Sequence, residues 1–306
     1  MSIAVVFPGQ GAQTPGMGLS LYKCSAAARA LFDRAGEEIK SLCFSGSSEE
    51  LTRTLNAQPC LFTVGAAAFA ALCEARPDAK IAMAAGHSLG EYTALYAAGV
   101  IDFDTGLSLV KHRAALMEKA AAETTGGMCA VMGDAETVAA LTKTASAAGL
   151  VLPVNFNTPN QTVVAGEPAA LAHFASLANE TGLRVVPLKV GGAFHSPLMA
   201  GVADALADIL DKTALLPGRL PIYANVTGQP YGTEIAPLLA AQAKSPVQWV
   251  VTVQNMVMDG ANLFIELGVG SVLRGLIRKT ARGMATCGVV DEESLAETVR
   301  MIGEES

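Results

Sequence analysis

Short apolar runs alternate along this chain with longer stretches in which apolar residues recur every three to four positions. The first pattern predicts buried strands and the second amphipathic helices. Ile3–Phe7 is a continuous apolar run closed by Pro8-Gly9 and reads as a first buried strand. A second run, Lys80-Ile81-Ala82-Met83-Ala84, leads into Ala85-Gly86-His87-Ser88-Leu89-Gly90-Glu91-Tyr92, after which a helical stretch begins. Helices and strand-like runs alternate in this way to about Glu123, the signature of an α/β layer with a mostly parallel sheet.

From Gly126 the texture changes. The pattern predicts a strand at 127–133, a helix at 135–148, strands at 151–156 and 162–165 joined by Asn157-Thr158-Pro159-Asn160, a helix at 168–181 and a strand at 183–190. That order is βαββαβ, the ferredoxin-like arrangement of a four-stranded sheet with two helices. The α/β texture then resumes with a strand at 221–225, a long helical region, a strand at Leu263–Leu267, and Gly268-Val269-Gly270 opening a final helix. The expected organisation is therefore a core of residues 1–124 and 191–306 interrupted by a small inserted domain at 125–190.

Composition narrows the field. Hydrophobic residues make up 51% of the 306 and charged residues 16%, which excludes a disordered chain and favours a dense core. The net charge is −7 and no long basic run occurs, so nucleic acid is not an expected partner. Cysteines at 24, 43, 60, 73, 129 and 287 include no C-x-x-C pair, so neither a metal site nor a disulfide framework is expected. Free thiols in a reducing, cytoplasmic setting are the simpler reading. The N-terminus lacks the positive n-region of a secretory signal. The apolar stretch 60–73 is too short to cross a bilayer and reads as a buried helix, so no membrane role is expected. Asn160-Gln161-Thr162 and Asn225-Val226-Thr227 match the glycosylation pattern by chance spacing alone.

Candidate chemistry begins at Ser88. A G-x-S-x-G between a strand and a helix forces a tight turn that lifts the serine hydroxyl above the sheet, the nucleophile elbow of a hydrolase-like core. The Leu89 N–H that follows then points where an oxyanion would form. The glycine-rich loop Pro8-Gly9-Gln10-Gly11-Ala12-Gln13 is no phosphate cradle, since neither Gly-Lys-Ser/Thr nor G-x-G-x-x-G is present. A serine needs a base. Of the four histidines, His87 is assigned to packing, His112 to a helix surface, and His173 to the insert far from the elbow. His195, 107 residues after Ser88, sits on the glycine-rich turn where the insert returns to the core. By itself it reads better as a satisfied core or turn histidine, and the spacing alone does not overturn that. Arg113 stands out independently: on a helix over 106–120, at ~100° per residue, it lies centrally among Leu109, Val110, Leu116 and Met117, with Lys111 and Glu118 opposite and Leu107 off the arc. A guanidinium in apolar surroundings demands an anion. That anion is either an internal carboxylate or a substrate carboxylate held by a two-bond fork.

Together these residues resemble a known family. Phe7-Pro8-Gly9-Gln10-Gly11-Ala12-Gln13, Gly86-His87-Ser88-Leu89-Gly90-Glu91, Arg113, Gly192-Ala193-Phe194-His195-Ser196 and Pro246-Val247-Gln248-Trp249 stand in the order and spacing of malonyl-CoA:acyl carrier protein transacylases, from Ile3 to about Lys279. The resemblance implies Ser88 as nucleophile, His195 as its base without an acidic third member, the N–H groups of Gln10 and Leu89 as oxyanion hole, and Arg113 as holder of the malonyl carboxylate. It further implies a backbone carbonyl near Gln248 orienting the imidazole, pocket walls from the Gln58-Pro59 and Asn157 segments, and malonyl selection by Phe194. Asn160, Ala57 and Ala114 depart from the family pattern, where Gly, Thr and Gly are usual.

The implied substrates are malonyl-CoA and phosphopantetheinylated acyl carrier protein, with no cofactor or metal, in a monomer. Arg274, Arg278 and Arg282, with Lys279 adjacent, recur at helical spacing and read as a solvated face rather than a carrier-docking patch. Two rival functions are an acyl-thioester hydrolase of the same fold, which would not need the buried arginine or the Gln10 loop, and a non-catalytic carrier-binding module, which would not need both Ser88 and His195.

Overall fold

The computed structural model describes residues 2–304. Its core sheet holds five parallel strands in the order β7-β2-β1-β8-β9, where β1 is Ile3–Phe7, β2 Ile81–Gly86, β7 Ile222–Tyr223, β8 Leu263–Leu267 and β9 Ala285–Val289. β1 and β8 are buried along their whole length. Successive side chains feed two layers: Ile3, Val5 and Phe7 join one apolar cluster, Ala4 and Val6 the other. A parallel sheet covered on both faces produces this unbroken apolar run.

The helix Thr54–Ala75 extends beyond the 60–73 stretch at both ends and contains Pro59. At about 1.5 Å per residue it is long enough to cross a bilayer, and it is apolar enough. Instead it runs through the protein interior, with Phe62, Val64 and Leu72 fully buried. The second sheet is antiparallel, in the order β4-β5-β3-β6, with β3 at Gly127–Met132, β4 at Val151–Thr158, β5 at Gln161–Gly166 and β6 at Arg184–Pro187. The helices Ala135–Ala145 and Pro168–Glu180 complete the βαββαβ unit. An isolated bridge residue of the core pairs with this unit: Val247 donates to Val154 O at 2.8 Å and accepts from the Phe156 N–H at 2.9 Å.

Several expected elements are trimmed or extended. The helix around Arg113 runs Phe103–Glu123, started by Asp102, whose carboxylate accepts the Thr105 N–H. The strand expected at 221–225 shrinks to two residues, and the one at 183–190 to four. The helix opened by Gly268-Val269-Gly270 is not final. It covers Val272–Thr280 and is followed by β9 and the helix Glu292–Glu304. Strand β9, Ala-Thr-Cys-Gly-Val, carries little apolar bulk, so its pattern gave no strand signal. Arg282 lies beyond the helix that was to carry it, while Arg274 reaches Gly270 O and Arg278 reaches Thr286. The three arginines therefore form no common helix face.

Candidate active site

Strand β2 ends at Gly86 and the helix Gly90–Ala97 turns back immediately above it. A Cβ on Gly86 would lie 1.9 Å from Gly90 carbonyl atoms, and one on Gly90 would lie 2.0 Å from Phe7 O. Both glycines are thus required by close backbone approach. The turn between them puts Ser88 at φ 52°, in the left-handed region. Among the described residues the only other non-glycine at positive φ is His195, at 61°. Such backbone strain costs of order 1–3 kcal/mol and persists only where the surroundings enforce it. At Ser88 the enforcer is Asn225, which follows β7: its Oδ1 accepts the Ser88 N–H at 2.7 Å and its Nδ2 donates to Gly86 O at 2.6 Å.

Ser88 Oγ and His195 Nε2 are 2.7 Å apart, and His195 Nδ1 is 2.9 Å from the backbone O of Gln242. The carbonyl can only accept, so Nδ1 carries the proton and Nε2 is left free to receive one from the serine. The carbonyl hydrogen-bonded to the imidazole is that of Gln242, with the Ser245 backbone also acting on the ring, and not that of Gln248 itself. Gln248 starts the helix Trp249–Met258, its own carbonyl taken by the Thr252 N–H and its N–H by Asn225 O. Burial, and then the nearby Arg113 charge, hold the His195 pKa down to about 3, so the ring is neutral at pH 7.

Arg113 is 1% exposed. Its Nη1 donates to Gln58 Oε1 at 2.8 Å, and its Nη2 to Gln242 Oε1 at 2.9 Å and to Ser88 Oγ at 3.1 Å. The guanidinium lies 5.6 Å from the Tyr92 ring centre. No carboxylate forms an ion pair with it among the described residues. Neutral amide oxygens orient the fork but leave its charge uncompensated. Burial accordingly lowers its pKa.

Behind these groups lies Glu91, fully buried on the first turn of the elbow helix. Its Oε1 accepts from the Asn225 N–H and the Tyr231 hydroxyl, and its Oε2 from Gln242 Nε2. Burial raises its pKa to about 7, against the lowering effect of those hydrogen bonds.

A small cavity of about 80 Å³ opens beside Ser88. Gln10, His87, Ser88, Arg113, Met117, Phe194 and His195 line its core side, and Met128, Asn155, Leu188 and Val190 its inserted side. Gln10 reaches it because Gly9 packs against the elbow, where a Cβ would lie 2.5 Å from His87 O. Among the described residues no protein acceptor takes the N–H of Gln10 or of Leu89. A wider groove, about 790 Å³ along 215–222 and 230–237, lies away from this pair, and its lining residues include no nucleophile with a base.

The structure thus brings together Ser88, His195, Arg113, Gln10 and Phe194. Gln58 stands behind the guanidinium rather than on the cavity wall. Asn157 also stands back, its Oδ1 paired with His87 Nε2 at 2.9 Å, and its neighbour Asn155 faces the cavity instead. His87, expected only to pack, therefore both lines the cavity and ties the elbow to β4. Gln242, Asn225, Glu91 and Asn155 escaped the sequence reading. An acid within the apolar helix Gly90–Ala97 was the one available signal of a buried polar network; Gln242 carried none.

A family model described as an acyl transferase domain matches residues 4–300. The malonyl CoA-acyl carrier protein transacylase of Bacillus subtilis is 38% identical, over 99% of this chain and 98% of that protein. Its counterpart in Escherichia coli K12 is 35% identical over 97% of this chain. The chain belongs to the malonyl-CoA:acyl carrier protein transacylase family. Among solved members of the family, the enzyme of Clostridium perfringens superposes with a TM-score of 0.94 at 33% identity over the whole of this chain. A malonyl-transacylase in complex with a type II polyketide synthase acyl carrier protein superposes equally well, at 0.94 and 33% identity over 98% of the chain. The fold, an α/β core with a parallel sheet and a separate antiparallel sheet, is that of these neighbours.

Proposed function

We propose that this protein transfers malonyl groups from malonyl-CoA to the phosphopantetheine thiol of an acyl carrier protein, in two steps through a malonyl ester of Ser88. The observation that carries the reading is a buried guanidinium with no acidic partner, 3.1 Å from a serine hydroxyl that is itself 2.7 Å from an imidazole. A cation kept unpaired beside a nucleophile suits an acyl group that ends in a carboxylate.

In the first step Ser88 Oγ attacks the thioester carbonyl while its proton passes to His195 Nε2. The Nδ1 proton, held by the Gln242 carbonyl, keeps the ring in place. The N–H groups of Gln10 and Leu89, which have no protein acceptor, receive the developing oxyanion; one such donor is worth about 10²–10³ in turnover. The imidazolium then gives its proton to the departing sulfur of coenzyme A. In the second step the carrier's thiol takes the place of coenzyme A, gives its proton to His195 and attacks the ester, and Ser88 recovers a proton from the ring. Arg113 acts in both steps, seating the malonyl carboxylate by paired charged hydrogen bonds. That carboxylate also offsets the positive charge that depresses His195, so binding the correct acyl group makes the base stronger. The small volume beside Ser88 leaves little room for water at the ester. A soluble, cytoplasmic enzyme acting as a monomer on both thioesters fits this scheme.

The deciding experiment incubates the protein with malonyl-CoA, with and without carrier protein, and follows Ser88 adduct by mass spectrometry, malonyl-carrier product and free malonate. Adduct that converts to malonyl-carrier supports the proposal. Adduct released chiefly as malonate makes the protein a hydrolase, and no adduct at all makes it a binding module.

A further inference from the structure

The polar groups behind the cavity differ in what they can accept or donate, and this constrains one of them sharply. Gln242 Nε2 lies within hydrogen-bond distance of two acceptor oxygens, Ser88 O at 2.8 Å and, in the ionised form of the acid, Glu91 Oε2. Its Oε1 lies 2.9 Å from Arg113 Nη2, which only donates. Turning the amide over would set an oxygen against two oxygens and an NH2 group against a guanidinium. The Glu91 carboxylate is in turn fixed from behind by the Asn225 backbone N–H, which cannot rotate, at 3.1 Å, and by the Tyr231 hydroxyl.

We propose that Glu91 is a positioning residue for substrate selection: by accepting from Gln242 Nε2 it fixes the Gln242 amide with its oxygen toward Arg113, and so aims the Arg113 fork at the acyl carboxylate. This rests on the proposed role of Arg113. Glu91 touches neither serine Oγ, imidazole nor cavity; its hydrogen-bonded route to Arg113 runs through Gln242, and its charge also acts on the guanidinium at longer range.

Replacing the carboxylate by an amide of the same shape tests the chain of contacts. In Glu91→Gln no arrangement of the two amides avoids a pair of opposed donors, whether at Gln242, at the Asn225 N–H or at Arg113. The Asn225 N–H is backbone and Arg113 is also held by Gln58, so Gln242 is the one to give way. The kcat/KM ratio for malonyl-CoA over acetyl-CoA should fall about tenfold, the scale of one hydrogen bond to a charged group. Turnover of acetyl-CoA, which has no carboxylate to seat, should stay within about threefold. Gln242→Leu, which keeps the backbone carbonyl that His195 needs, should lower the same ratio, and the double variant should lower it no further. Tyr231→Phe removes a different bond to the same carboxylate and should leave the ratio unchanged, which separates positioning from general loosening of the fold. Additive effects in the double variant, or a Tyr231→Phe ratio as low as that of Glu91→Gln, would overturn the inference. If Glu91→Gln does not fold, Glu91→Asp, which keeps the charge but falls short of Gln242, is read against Gln242→Leu in the same way. The wild-type adduct at Ser88 is the control: without it the functional reading fails, and with it only the role of Glu91 is in question.

Discussion

The two walls of the cavity are built on different principles. On the core side Ser88, His195 and Arg113 are backed by Gln58, Glu91, Asn225 and Gln242, and nearly every polar atom has a partner from a distant segment. On the inserted side stand Met128, Leu188 and Val190 with one amide, Asn155, whose Oδ1 has no hydrogen-bond partner. One wall fixes angles and charge; the other sets volume. The contrast teaches that precision in this molecule follows the reacting atoms, and that the inserted sheet closes a space whose chemistry comes from elsewhere.

The strongest way to break that comparison is at its centre. Ser88→Ala should abolish the malonyl adduct and lower carrier malonylation by roughly 10⁴–10⁶, the range seen when a serine nucleophile is removed. Adduct still present on the intact variant would move the nucleophile off the elbow. Next in size is Arg113→Ala. Because the cation is buried and holds a charged substrate group, kcat/KM with malonyl-CoA should drop by about 10²–10³, while acetyl-CoA is spared. Equal losses for both thioesters would mean that the arginine supports the fold and selects nothing.

The buried acid gives a pH-dependent prediction. Glu91 titrates at about 7 in the folded protein against 4.5 for an unperturbed glutamate. Both states are protonated below pH 4.5, so its full contribution is present there. As pH rises toward 7 the unfolded chain releases the proton first, and that contribution is lost. Wild type should therefore lose up to about 3 kcal/mol of unfolding free energy relative to Glu91→Gln between pH 4.5 and 7. Denaturant curves for the two proteins at several pH values measure it; parallel stability profiles would show that the acid ionises normally inside the fold.

What the sequence disclosed follows the same division. The elbow was readable because two glycines at fixed spacing around a serine have a steric cause that is local, and a Cβ at Gly86 or Gly90 would indeed lie within 2.0 Å of other backbone atoms. Arg113 was readable because burial of a helix face has a period. β1 and β8 were read to the residue, since strands buried on both faces are written almost wholly in apolar residues, Glu266 in β8 being the exception. The partners behind the site were not legible. Gln242 meets Ser88, Arg113 and His195 from 154, 129 and 47 residues away, and no local pattern marks such a meeting. The carbonyl bonded to the imidazole lies six residues before Gln248 and could not be picked from the sequence, since every residue offers a carbonyl and only the fold chooses one. β9 was missed because an edge strand of small residues has no hydrophobic signature.

The finest test sets one asparagine from each wall against the other. Asn225 and Asn155 are both buried, at 0% and 8% exposure. The first holds the Ser88 N–H and the Gly86 carbonyl; the second leaves its Oδ1 unpaired. Leucine has nearly the shape of asparagine, so the two substitutions change polarity with little change in volume. Asn225→Leu strands two backbone groups in the interior and releases the strained serine, and should cost about 2–4 kcal/mol of stability with a matching loss of Ser88 reactivity. Asn155→Leu removes a buried polar group that gains nothing in the fold, so stability should hold within about 0.5 kcal/mol or rise slightly. Thermal and denaturant unfolding of the two variants read the difference directly. A large loss at Asn155 would mean that the inserted wall is polar and ordered in its own right, and the division between a wall that fixes angles and one that sets volume would have to be abandoned.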